Sequence, residues 1–216
     1  MDLPLALCFN PAMASTLVTG FSPFDGRQVN ASWIAARSLA QHIPIETLEI
    51  PVVWSEPARQ LQQICNAGCP EIIISMGEGR EGWFDIETVA RNVRRERPDN
   101  HGSFPNGEPI SEDGPHFVEA SIDAARLHAR LAATGFPVRV SRDAGAFLCE
   151  ETLYTLEMLR DDHPRLGTVV FVHLPPYGTS LTLSREPTLC NEDVLSRFSR
   201  SLYDAVMDLH ANRCLE

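Results

Sequence analysis

The chain has 216 residues, a net charge of −11, 44% hydrophobic and 22% charged residues, and no lysine. These fractions are those of one ordinary globular domain, and the acidic balance without a clustered basic footprint disfavours a nucleic-acid binder. The missing lysine excludes Schiff-base chemistry, a Ser-Lys dyad and a Walker-type phosphate loop, all of which need the amine.

Residues 1–14 read as an irregular N-terminal extension. Ala12-Met13-Ala14 imitates a signal cleavage site, but no basic residue precedes the apolar stretch, and Asp2, Asn10 and Pro11 interrupt it. Nothing further along approaches the apolar length of a membrane span. The six cysteines, Cys8, Cys65, Cys69, Cys149, Cys190 and Cys214, form no disulfide framework, and Cys65 and Cys69 lack zinc-site pairing. The expected compartment is therefore the reducing cytoplasm, with no metal ligand set.

Apolar runs then alternate with amphipathic stretches, the pattern of an α/β layered fold. Strands are predicted over Thr16–Thr19, Glu46–Val53, Glu71–Met76, Val138–Ser141 and Thr168–His173. Helices are predicted over Ser32–Gln41, Glu56–Asn66, Ser121–Thr134, Glu150–Asp161 and Glu192–Ala211. With no linker or repeat dividing the chain, residues 1–216 read as a single catalytic domain.

The first chemical signal is Thr19-Gly-Phe-Ser-Pro-Phe24, which puts Phe21 and Phe24 in a loop leaving the first strand. Such aromatics either cover a core or wall a flat pocket, and spacing leaves both open. Next, Gly77-Glu-Gly-Arg-Glu-Gly82 has the GxGxxG pattern after a strand. Glu78 and Glu81 would repel a pyrophosphate, and Trp83-Phe84-Asp85-Ile86 is no close-packed helix start, so a dinucleotide-binding oxidoreductase is disfavoured. Pro98–Pro115, rich in Pro, Gly, Asn, Asp and Ser, reads as a long surface loop and a candidate active-site wall.

Cys149 ends Ser141-Arg-Asp-Ala-Gly-Ala-Phe-Leu-Cys, where a glycine-containing turn runs into a helix. There the helix N-terminus stabilises a thiolate, and its free N–H groups can hold an oxyanion. A cysteine at a helix start is also an ordinary structural residue. His173 closes the apolar run Thr168-Val-Val-Phe-Val-His, at the strand end where α/β sheets open their ligand crevice. A capping histidine would look the same. Glu87 can orient an imidazole, but spacing alone does not single it out among the acids.

Together these segments resemble the pyroglutamyl peptidases (pyrrolidone-carboxylate peptidases), cysteine peptidases that remove N-terminal 5-oxoproline from peptides. The resemblance runs through Thr19-Gly-Phe-x-Pro-Phe24, Val29-Asn-x-Ser-Trp33, the glycine-rich turn at Gly77, Glu87-x-Val-Ala-x-Asn92, Pro98-Asp-Asn100, Ala144-Gly-x-Phe-x-Cys149 and His173-x-Pro175. It implies an open twisted sheet with helices on both faces, no cofactor, peptides with N-terminal pyroglutamate as substrates, and a homo-oligomer, by likeness a tetramer. Carried over by position, it implies Cys149 as nucleophile, His173 as base and Glu87 as third member. Phe21 and Phe24 would sandwich the oxoproline ring, with Phe147 beside the thiol.

The chain departs from the family pattern at Glu78, where Gln is usual in a turn one residue longer. It also departs at Glu150-Glu151, where Asn-His is usual, and at Asp143, where Thr is common. The family's Arg-Ile-Pro-Asp-Asn is shortened, so that Arg97 or Arg95 fills the arginine's place. These changes leave a second reading, a family member that binds a lactam-like or peptide ligand without turnover.

Overall fold

The computed structural model describes residues 15–105, 109–182 and 188–213. The strands are β1 (Thr16–Phe21), β2 (Glu46–Ile50), β3 (Ile72–Glu78), β4 (Phe84–Glu87), β5 (Val89–Arg91), β6 (Phe117–Glu119), β7 (Val138–Ser141) and β8 (Thr168–Leu174). The helices are α1 (Ala31–Ala40), α2 (Glu56–Gly68), α3 (Ala124–Ala133), α4 (Leu148–Asp162) and α5 (Glu192–Arg213). A six-stranded sheet runs β2-β1-β3-β8-β4-β7, and β5 and β6 form a separate antiparallel pair. Strands β2, β1, β3 and β8 are parallel, while β4 runs antiparallel to β8 and parallel to β7.

Helices cover both faces, as expected for an α/β sheet, and the period-2 alternation of strand side chains assigns each face its core. Val18, Ile72, Ile74, Met76, Phe84, Ile86, Val170 and Val172 pack with α1, α3 and α5. On the other face, Leu17, Ile73 and Val169 pack with Leu61 and Cys65 of α2 and Leu156 and Leu159 of α4. Further along that face, Phe21, Ile50 and Phe171 meet Leu148, Leu153 and Tyr154 of α4. The helix starts follow local chemistry: Asn30 and Asp123 each accept a hydrogen bond from the first turn of α1 and α3, and Pro57 opens α2.

Several expected boundaries move. Strand β2 stops at Ile50 because Pro51 follows, instead of reaching Val53. Strand β3 runs on through Gly77 and Glu78, so these residues belong to the sheet and not to a turn. The glycine run leads into strand β4 rather than a helix, so the helix N-terminus that would bind a pyrophosphate is absent there. Strands β4, β5 and β6 were not among the expected elements.

The described parts of the Pro98–Pro115 loop, 98–105 and 109–115, do not line the cavity that holds Cys149 and His173, which corrects their expected role as a wall. They buttress it instead. Buried Asp99 accepts from the N–H groups of Trp54, His101 and Ser103, and Asn100 Nδ2 donates to the Pro23 carbonyl at 2.9 Å.

Candidate active site

Cys149, His173 and Glu87 meet because three elements converge on the α4 side of the sheet. Alternation along β8 sends Val170, Val172 and Leu174 to one core and leaves Phe171 and His173 facing α4. The same rule on β4 buries Phe84 and Ile86 on the far side and turns Asp85 and Glu87 toward His173. Asp85 is the residue paired directly with His173, and Glu87 is its diagonal neighbour, within reach of a long side chain. His173 Nδ1 donates to Glu87 Oε1 at 2.8 Å, with Glu87 1% and His173 7% exposed. Asp85 is committed elsewhere, to a bidentate pair with Arg139 at 2.7 and 2.8 Å.

Cys149 is a half-buried free thiol in the first turn of α4. The turn before it is sharp, with Gly145 and Ala146 both at positive φ (90° and 55°), and the N-cap residue Phe147 offers no side-chain cap. The first-turn N–H groups of α4 are thus left for another acceptor, at the positive end of the helix dipole. Glu150 and Glu151 do not put charge into the cavity. Both are fully buried; Glu150 pairs with Arg91 at 3.0 Å and Glu151 with Arg94 at 2.8 Å.

Thiol and imidazole face each other across Gly77. A Cβ built there would lie 2.7 Å from Cys149 Sγ, 3.0 Å from Phe171 Cζ and 3.2 Å from His173 Cδ2. Gly79 is equally constrained, since its Cβ would come within 2.6 Å of His173 Cβ. These glycines are needed for close approach, which the pattern GxGxxG conceals. Burial works to lower the His173 pKa, but the facing Cys149 thiolate, through charge and a hydrogen bond, and Glu87 outweigh it and push it up to about 10.

All the site residues expected from sequence line one cavity of about 200 Å³: Cys149, His173, Glu87, Phe21, Phe24, Phe147, Glu78 and Arg97. Arg95 lines it as well, so the sequence alternatives Arg95 and Arg97 are both present. Arg97 is paired with Asp25, and its guanidinium lies 4.4 Å over the Phe147 ring and 5.7 Å over Phe24. Arg27 covers the Phe24 ring too, at 5.5 Å. Glu78 neither points to solvent nor is left open to a ligand. Its carboxylate pairs with Arg27 and accepts from the Ala31 N–H at 3.0 Å, at the start of α1. Sequence reasoning missed Arg27 and Arg91, and took Gly77 only as part of a glycine-rich turn.

No group of three or more His, Cys, Asp or Glu side chains that could hold a metal ion occurs among the described residues. None of their helices is long and apolar enough to cross a membrane.

Fold and site together are those of a cysteine-type hydrolase on an α/β sheet. A model of the family described as pyroglutamyl peptidase matches residues 14–203, and the chain belongs to that family. It is 34% identical to the pyrrolidone-carboxylate peptidase of Streptomyces coelicolor over 185 residues, 79% of this chain and 85% of that one. It is 30% identical to human pyroglutamyl-peptidase 1 over 203 residues, 90% of each. The crystal structure of pyroglutamyl peptidase I from Bacillus amyloliquefaciens superposes with a TM-score of 0.77 at 29% identity, covering 92% of this chain and 98% of that one.

Proposed function

We propose that this protein removes an N-terminal pyroglutamyl residue from peptides through a thioester on Cys149. The observation that carries the reading is the single cavity in which a half-buried thiol faces an imidazole held at 2.8 Å by a buried carboxylate. The cavity, at about 200 Å³, is smaller than the ~300–1,000 Å³ of pockets for drug-sized ligands. That suits one five-membered lactam ring between aromatic walls, with the rest of the peptide outside.

In this reading the Cys149 thiolate attacks the pyroglutamyl carbonyl, and the tetrahedral oxyanion is met by the uncapped N–H groups at the start of α4. The His173 cation gives its proton to the leaving amine, and Glu87 fixes the imidazole's orientation and supports its charge. Neutral His173 then takes a proton from water, which hydrolyses the thioester, expels the Cys149 thiolate and restores the starting thiolate and imidazolium. Phe24 and Phe147 stand as walls, braced by Arg97. They replace the expected pair Phe21 and Phe24, since Phe21 is 2% exposed and packs in the core against α4. No step needs a cofactor. The binding-only alternative has no feature of this site in its favour.

The reading extends to one catalytic domain working in the cytoplasm, which the free thiols of Cys65, Cys69, Cys149 and Cys190 support. It also extends to a homo-oligomer, by family likeness a tetramer, to be checked by light scattering. The test of function is turnover of a pyroglutamyl chromogenic amide beside its prolyl counterpart. Cleavage of the first alone is expected; cleavage of neither, or of both equally, would overturn the reading.

A further inference from the structure

Three arginines line the cavity, and they differ in what holds them. Arg80 is paired with Asp143 and Arg97 with Asp25. The Arg95 guanidinium is exposed and has no acidic partner among the described residues. Its backbone is nonetheless anchored, since the Arg95 N–H donates to the Ala146 carbonyl at 2.6 Å, in the turn that leads to Cys149. The neighbouring acid, Glu96, is not part of the lining. A free cation on a fixed base therefore stands at the mouth of the cavity, in a chain whose net charge is −11. The net charge disfavours an anionic peptide overall, and at this site such a peptide meets an unneutralised positive charge.

The proposed reaction puts the lactam ring inside and the leaving amine at the mouth. We infer that Arg95 sets specificity on the leaving side, favouring substrates with a carboxylate on the residue after pyroglutamate. That carboxylate has two sources: the free C-terminus of a dipeptide, or an acidic side chain within a longer peptide. The inference rests on the proposed activity, and the two fail separately.

The experiment compares kcat/KM within two matched pairs: pyroglutamyl-alanine against its amide, and pyroglutamyl-glutamyl amide against pyroglutamyl-glutaminyl amide. Each is measured in the wild-type protein, Arg95→Gln and Arg95→Glu, at low and high salt. The wild type is expected to prefer the anionic member of at least one pair about two- to fivefold, the scale of an exposed ion pair, chiefly through KM. The preference falls toward unity in high salt and in Arg95→Gln, and reverses in Arg95→Glu. Which pair responds identifies the source of the carboxylate. Because each ratio is taken within one variant, a general loss of activity cancels. A wild-type ratio of one in both pairs, a salt-independent preference, or a preference unchanged in Arg95→Gln would overturn the inference. Absence of any turnover by the wild type, including of the neutral chromogenic amide, would strike the proposed function instead.

Discussion

Glu150 reaches back from the first turn of α4 and accepts the Ala146 N–H at 2.7 Å, while its carboxylate also accepts the Arg91 N–H at 2.5 Å. In a capping box the third helical residue returns to the N–H of the N-cap itself. Here it bypasses Phe147 and ties down the turn one residue earlier. The turn is held at the strained φ of Ala146, and the helix start beside Cys149 stays uncapped. The Glu150 carboxylate, in the turn that leads to Cys149, is balanced by the Arg91 guanidinium.

Arg91→Met should therefore leave a buried carboxylate unneutralised in the turn that carries Cys149 and disfavour the thiolate. Iodoacetamide modification of Cys149 at neutral pH, followed by peptide mapping, is expected to slow several-fold. Adding Glu150→Gln should recover part of the rate. An unchanged rate in Arg91→Met would rule out this balance. In the wild type Cys149 should be labelled before Cys65 and Cys69, which are buried and whose thiols burial pushes to higher pKa.

Gly77→Ala should reduce kcat by about a hundredfold or more, because the new methyl must displace Cys149 Sγ or the His173 ring from their facing positions. KM should change far less, since Gly77 does not line the cavity. Steady-state kinetics on the pyroglutamyl chromogenic amide decides it, and near-normal kcat would mean that thiol and imidazole need not face each other there.

The pH profile tests Glu87. With Cys149 facing it, His173 is pushed up to about 10 in the free enzyme, so the imidazolium that starts the reaction is lost as pH rises through that value, which kcat/KM reads. Glu87 is one of the groups that raise it; Glu87→Gln should shift the alkaline limb of kcat/KM to lower pH and reduce the rate by orders of magnitude. His173→Ala should nearly abolish turnover. An alkaline limb that stays in place in Glu87→Gln would separate Glu87 from the imidazole's ionisation.

Glu78→Gln should not improve activity at acidic pH, because the carboxylate is spent on Arg27 and the start of α1. Its expected cost is stability, about 1–2 kcal/mol for a weakened charge-assisted hydrogen bond, visible in urea denaturation. A gain in kcat/KM on acidification would show instead that Glu78 faces the lactam.

The sequence made β1, β3, β7, β8 and the helices legible, because their apolar runs or amphipathic faces are long enough to show a period. Strand β4, no longer than β7, escaped because two of its four residues are acids and it follows directly on the glycine run. Cys149 and His173 sit at element ends where chemistry is expected, and the family resemblance joined them to Glu87. The residues alone do not select Glu87, since its contact with His173 arises from strand pairing across a sequence separation of 86. Likewise the pairing of Glu78 with Arg27, and of Glu150 with Arg91, depends on elements distant in the chain.

The most direct test of the account is to trap the acyl-enzyme. Rapid acid quenching during turnover of an activated pyroglutamyl ester, followed by peptide mass mapping, should find one pyroglutamyl group, carried by the peptide that contains Cys149. In His173→Ala that adduct should form more slowly and persist longer, because both steps lose their proton carrier. Steady turnover with no adduct on Cys149, or turnover retained in Cys149→Ala, would contradict it.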